Sequence, residues 1–139
     1  MEASGVFLPL DAPLLEGVFE MTCIESLLKN ICPEIEARVK PSLKGLAGFL
    51  LQGCLPQVWR FETEKDRVTL VVDSNGNAFV TLSIPSQVDV TVRWKHDLLA
   101  TALRTRSKQL IPENDKPDVI LHTAKGRSAY GYIRQQLGI

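Results

Sequence analysis

At 139 residues the chain is the size of one domain. Hydrophobic residues make up 45% and charged residues 23%, which is the balance of a globular protein with a core rather than of a disordered chain. The 16 Lys+Arg offset the 16 Asp+Glu, leaving a formal net charge of +0. That excludes the overall basic footprint of a dedicated nucleic-acid binder, so no nucleic-acid partner is expected. Cys23, Cys32 and Cys54 have neither a disulfide framework nor metal-ligand spacing; they read as buried or free thiols of a reducing compartment.

The start carries an acid at position 2, no basic region, and an apolar run broken by Pro9, which is neither a signal peptide nor a membrane span. The final Gln-Leu-Gly-Ile is not of the peroxisomal kind. The expectation is a cytoplasmic protein forming one domain over 1–139, with residues 1–13 irregular.

Apolar residues Phe19, Cys23, Ile24, Leu27, Leu28, Ile31, Ile35 and Val39 fall mostly three or four apart, predicting an amphipathic helix over about 14–40. Pro33 either kinks it or opens a second piece, and Pro41 marks its boundary. Ser42 is a candidate N-cap for a shorter apolar helix over 43–51, stopped by Gly53. Strands follow. Residues 57–63 place Trp59 and Phe61 opposite Val58, Arg60 and Glu62; residues 67–73 place Val68, Leu70 and Val72 opposite Thr69 and Val71. Asn75-Gly76 signals a hairpin turn, after which 77–84 presents Ala78, Val80, Leu82 and Ile84 on one face. Residues 87–94 oppose Val88, Val90, Val92 and Trp94 to Asp89, Thr91 and Arg93, the alternation of an antiparallel sheet with a solvated face.

Beyond Trp94, Leu98, Leu99, Ala102 and Leu103 have helical spacing, with Asp97 as N-cap or first-turn acid. A loop over 111–117, a short strand over 118–123 and a helix from Lys125, with Ala129, Tyr130, Ile133 and Leu137 on one stripe, complete the chain. The fold class is therefore α+β: about five strands, mostly antiparallel, with one sheet face covered by helices.

Candidate chemistry is sparse. His96 and His122 stand apart from other ligand types and read as surface or turn-adjacent histidines. No HExxH, paired CxxC, nucleophile elbow or phosphate loop occurs, so no catalytic residue, metal or cofactor is assigned. Cys54, after Gly53, reads as a structural thiol. Gly126, between Lys125 and Arg127 at a helix start, is a candidate anion site, with plain loop chemistry as the alternative. The basic residues after Trp94 are a solvated face or, alternatively, attract an anionic head group, a coenzyme phosphate or a membrane surface. Phe49, Trp59, Phe61 and Trp94 either fill a core or line a cavity.

Several stretches resemble the sterol carrier protein 2 family: Ile35-Glu-Ala-Arg-Val39 its first helix, Gln57-Val-Trp-Arg-Phe61 its first strand, and 68–73, Asn75-Gly76 and 78–82 its meander. Val88-Asp-Val-Thr-Val92 followed by His96-Asp-Leu-Leu99 resembles its passage from strand into helix, and Asp118-Val-Ile-Leu-His122 its closing strand. The resemblance spans 24–137. It departs from the family at His122-Thr-Ala-Lys-Gly126, where a glycine-rich step is usual, and over 103–116, which lacks a glycine-containing turn. It implies a hydrophobic tunnel between helices and sheet and a non-catalytic protein that binds or transfers a fatty acid, acyl-CoA, sterol or similar lipid. On this chain the implied lipid-binding residues are Phe49, Leu50, Trp59, Phe61, Leu82, Trp94, Leu99, Leu103, Tyr130, Ile133 and Leu137. Arg104, Arg106, Lys125 and Arg127 would attract the head group, and transient membrane-surface contact is implied. The alternative is a structural or homodimerising module on the same fold with no lipid; an enzyme using Cys54 or the two histidines is the third possibility.

Overall fold

Ile24, Leu27, Leu28, Ile31, Ile35 and Val39 form the buried stripe of helix α1 (Ile24–Ser42) in the computed structural model, which describes residues 23–44, 52–106 and 114–139. Each such side chain contributes about 1.5–3 kcal/mol on burial, and this stripe, rather than helix propensity, holds α1 on the sheet. Strands β1 (Gln57–Glu62), β2 (Arg67–Val72), β3 (Ala78–Thr81) and β4 (Val90–Arg93) follow, then helix α2 (His96–Thr105), strand β5 (Asp118–Leu121) and helix α3 (Ala124–Leu137). The expected α+β architecture is what forms. Its five-stranded sheet has the order β3-β2-β1-β4-β5; β1 and β4 run parallel, and the other three pairings are antiparallel.

Register puts the apolar side chains together. Trp59 lies opposite Leu70 and Val90, and Phe61 opposite Val68 and Val92. These six are buried beneath the helices. On the other face Arg67, Glu62, Arg93 and Asp118 sit side by side across four strands, alternating in sign. Glu62 binds the Arg60 guanidinium at 2.6 Å and that of Arg93 at 2.7 Å. The row neutralises itself, so Glu62 stays paired although it and Arg60 are only 19% exposed.

The turn over 63–66 anchors two helices at once. Neither Cys23 nor Lys95, the N-cap residues of α1 and α2, caps its own helix with its side chain. Instead Asp66 Oδ2 accepts the Ile24 N–H at 3.3 Å, and Glu64 Oε1 accepts the His96 N–H at 2.9 Å. Thr63 Oγ1 holds the turn by accepting the N–H groups of Lys65 and Asp66. Orphan amide groups at helix starts are thus satisfied from a distant hairpin. α1 also bonds to the β3 edge of the sheet, where Glu36 Oε2 accepts the Ala78 N–H at 2.8 Å.

Several expectations are corrected. α1 runs through Pro33 and past Pro41 to Ser42; both prolines are exposed, and Pro41 stands in the last turn, where one missing hydrogen bond breaks nothing downstream. Ser42 belongs to the last turn of α1, where its hydroxyl donates to the Arg38 carbonyl at 2.8 Å. β3 stops at Thr81, so Leu82 and Ile84 leave the sheet and stand 62% and 61% exposed. Asp97 is exposed and does not cap α2, and His96 is 5% exposed rather than on the surface. Residues 14–22 of the first expected helix and 45–51 of the second fall outside the described residues.

The Arg106 guanidinium beside Glu34, that of Arg93 beside Glu62, and the backbone N–H groups of Glu64 itself and of His96 around Glu64 each hold a carboxylate below its usual range. Their stabilisation is complete above the ordinary glutamate pKa of about 4.3 and is lost as pH falls below it. The melting temperature is expected to stay level from pH 7 to about 5 and to drop from there toward pH 3, with a shallower drop in Glu64→Gln; circular dichroism melts at stepped pH check this.

Candidate functional site

The helix-side face of the sheet carries a row of aromatic rings. Trp59 stacks on Phe61 along β1, with centroids 6.3 Å apart, and on Tyr130 of α3 at 5.9 Å and an interplanar angle of 17°. Phe61 and Trp59 are fully buried, whereas Tyr130 is half-buried. The Arg134 guanidinium lies 5.4 Å from the Tyr130 ring centre, within the range of a cation–π contact. Four side chains therefore lead from the deep core to the flank of α3, where the row ends in a positive charge.

Gln57 fixes the position of the row. It is fully buried, and its Oε1 accepts the Trp59 indole N–H at 3.0 Å. Its Nε2 donates to the Cys54 carbonyl and, at 2.9 Å, to the Lys125 carbonyl. The last bond joins the start of β1 to the first turn of α3, so the indole cannot move without disturbing both.

Asp89 makes the second attachment. Only 1% exposed, it accepts the Val58 N–H on Oδ2 at 2.9 Å and the Thr123 hydroxyl on Oδ1 at 2.6 Å. Thr123 Oγ1 in turn accepts the Gly126 N–H at 3.0 Å as the N-cap of α3. The Asp89 main chain takes part too: its N–H donates to Val58 and its carbonyl accepts from His122. The contact is so close that a Cβ at Gly126 would fall 2.5 Å from the Asp89 carbonyl oxygen. Alternation along 87–94 put Asp89 on the solvated face, but residue 89 precedes the paired strand, and its carboxylate is held between β1 and α3.

Of the residues implied as lipid-binding, Trp59, Phe61, Trp94, Leu99, Leu103, Ile133 and Leu137 meet in one buried cluster, with Tyr130 packed against it. The Trp94 indole N–H donates to the Asp115 carbonyl at 2.7 Å. Leu82 lies apart, exposed beyond β3, and Phe49 and Leu50 fall outside the described residues. The four basic candidates do not converge. Arg104 and Arg127 are exposed. Arg106 grips Glu34 of α1 through two hydrogen bonds of 2.8 and 2.9 Å. Lys125 Nζ lies 3.9 Å from Asp89 Oδ1, so the start of α3 already has an internal carboxylate beside it. Arg134, which is not among those four, is the cation at the end of the aromatic row.

A shallow groove of about 330 Å³ opens elsewhere, between α1 and the edge strand, lined by Lys29, Cys32, Pro33, Glu36 and Ala78–Val80. Burial and the neighbouring Glu36 charge push the Cys32 thiol up, away from the reactive thiolate. Among the described residues no group of three or more His, Cys, Asp or Glu side chains is arranged to hold a metal ion, and no helix is long and apolar enough to cross a membrane.

No protein-family model and no curated protein matches the chain. Solved structures similar to it include the following two. One, titled "UbiJ-SCP2 Ubiquinone synthesis protein", is 20% identical with a TM-score of 0.47, over 94% of this chain and 93% of that one. The other, sterol carrier protein 2 from Yarrowia lipolytica in its apo form, is 12% identical with a TM-score of 0.39, over 82% of this chain and 89% of its own. The α+β architecture itself is read from the strands and helices described above.

Asp89→Ala leaves the Val58 N–H and the Thr123 hydroxyl without their buried acceptor and is expected to cost about 3 kcal/mol. Asp89→Asn can still accept from Val58 while donating to Thr123, and is expected to cost about 1–2 kcal/mol. Urea unfolding of both variants measures the difference.

Proposed function

We propose that the protein is a non-catalytic carrier that holds an apolar ligand, such as a fatty acid, acyl-CoA or sterol, between the sheet and the helices. The observation that supports this reading most is the row Phe61–Trp59–Tyr130–Arg134, which rises from the closed core to a half-buried ring under a cation. Ring faces and aliphatic chains associate by burial and dispersion, about 25 cal/mol per Å² removed from water, and need no reacting group. The buried polar side chains support it as well, because those of Gln57, Asp89 and His96 are engaged in joining one element to another. Ligand entry on this reading proceeds at the Tyr130 flank of α3, the least buried part of the row, during transient contact with a membrane surface.

A dimerising module is the second reading. It is favoured by Phe79, Leu82 and Ile84, three of the large apolar side chains left exposed, at the end and edge of the sheet. Against it, the Ala78 N–H, which an incoming strand would need, is already held by Glu36.

Native mass spectrometry of protein extracted without detergent is expected to show co-purified lipid, and added oleate is expected to change tryptophan fluorescence. Tyr130→Ala should weaken oleate binding by about tenfold, from the lost ring area and stacking. A lipid-free protein that takes up no oleate, and sediments as a stable dimer split by Leu82→Ser, would instead establish the second reading.

A further inference from the structure

The two edges of the sheet are finished differently. At β3 the Ala78 N–H is taken by Glu36, whereas β5 is the other edge. Its register opposes Thr91 to Ile120 and Arg93 to Asp118, and the His122 N–H reaches the Asp89 carbonyl at 2.9 Å. Antiparallel alternation therefore turns the main-chain groups of residues 118, 120 and 122 toward β4 and those of Val119 and Leu121 away from the sheet. Among the described residues nothing bonds to those outward groups. A strand edge left in this state is a template for another strand.

We propose that β5 pairs with β5 of a second copy of this chain, antiparallel about a two-fold axis at Ile120, joining two five-stranded sheets into one of ten. In that register Val119 lies opposite Leu121 of the second copy, and Leu121 opposite its Val119. These residues carry the outward groups, so the two pairs form four main-chain hydrogen bonds. Registers centred on Val119 or Leu121 would instead bring into the ladder Pro117, which has no N–H, or Thr123, which caps α3. The charges agree with the same axis. Asp118 falls opposite His122, and both are exposed. The Thr91 hydroxyl lies 2.8 Å from His122 Nε2; with that hydroxyl donating, the ring proton sits on Nδ1, a donor for the facing carboxylate. The dimer holds two such cross-strand pairs. On the helix side Val119 and Leu121, half-buried and packed against the core, cover the open side of their counterparts. The pairing is independent of the carrier reading, and it uses the edge opposite to the one that bears Phe79, Leu82 and Ile84.

Sedimentation velocity of the full chain is expected to show a monomer–dimer equilibrium with a Kd of about 10 μM, in the weak range of short contacts. Asp118→His and His122→Asp each set like groups face to face, and each is expected to raise the Kd about tenfold. Mixed in equal parts, the two variants should dimerise as wild type does, because two histidines of one chain then face two aspartates of the other. Leu121→Pro removes an outward N–H and should abolish the dimer, while Leu82→Ser leaves it unchanged. Should the proline variant fail to fold, the mixing experiment decides alone. A wild-type chain monomeric to about 300 μM, which would leave the edge to a different strand, overturns the inference. So does a dimer that survives both charge variants, is not recovered on mixing, or is split by Leu82→Ser. Oleate uptake is titrated separately, and its failure bears on the carrier reading alone.

Discussion

A carboxylate removed from water holds this fold together at its centre. Asp89 takes a main-chain N–H from β1 and the hydroxyl that caps α3, while its own backbone bonds to β1 and to the end of β5. A buried acid is costly unless its oxygens are met by donors, and here the donors come from elements far apart in sequence. The charge therefore acts as a coordinate: β1, β4, β5 and α3 have one relative placement in which it is satisfied. Gly126 shows how tight that placement is, since the first turn of α3 rests on the Asp89 carbonyl with no room for a side chain. The aromatic row inherits its geometry from this clasp, because Tyr130 reaches Trp59 only if α3 starts where Asp89 and Gln57 put it.

Two organising principles divide the interior. Apolar periodicity decides which side of each element faces in, and polar bonds decide how the elements are set against one another. α1 illustrates both: its stripe of Ile and Leu presses on the sheet, while Asp66, Glu36 and Glu34 link its start, its middle and its flank to the first hairpin, the sheet edge and the end of α2. The outer face of the sheet needs less, because its row of alternating charges is neutral within itself and Glu62 pairs with both Arg60 and Arg93.

Faces were legible in the sequence because period-2 and period-3.6 patterns are local. Trp59 and Phe61, Val68 and Leu70, and Val90 and Val92 all point where alternation places them. The parallel pairing of β1 with β4 was not legible, since alternation looks the same for either direction of the partner. Asp89 was misplaced for a related reason: the pattern treats residue 89 as one more strand position, and nothing local reveals that Thr123 and Val58 await it. Leu82 illustrates the limit for the candidate site. It continues the alternation of β3 in sequence, but the strand ends one residue before it. Arg134 became notable only when its guanidinium was found against Tyr130.

The bonds that seat α1 also set an order of events on the ribosome. Its attachments lie far downstream, 42 residues on for Asp66 with Ile24 and for Glu36 with Ala78, and 72 residues on for Glu34 with Arg106. The helix is synthesised early with its apolar stripe uncovered, and most of the domain must emerge before that stripe has its final cover. Contacts of such long sequence separation slow folding and prolong the exposure of sticky surface. The charged and polar back of α1, with Lys29 paired to Glu25 and Lys40 beside Glu36, keeps one side of the nascent helix soluble over that interval.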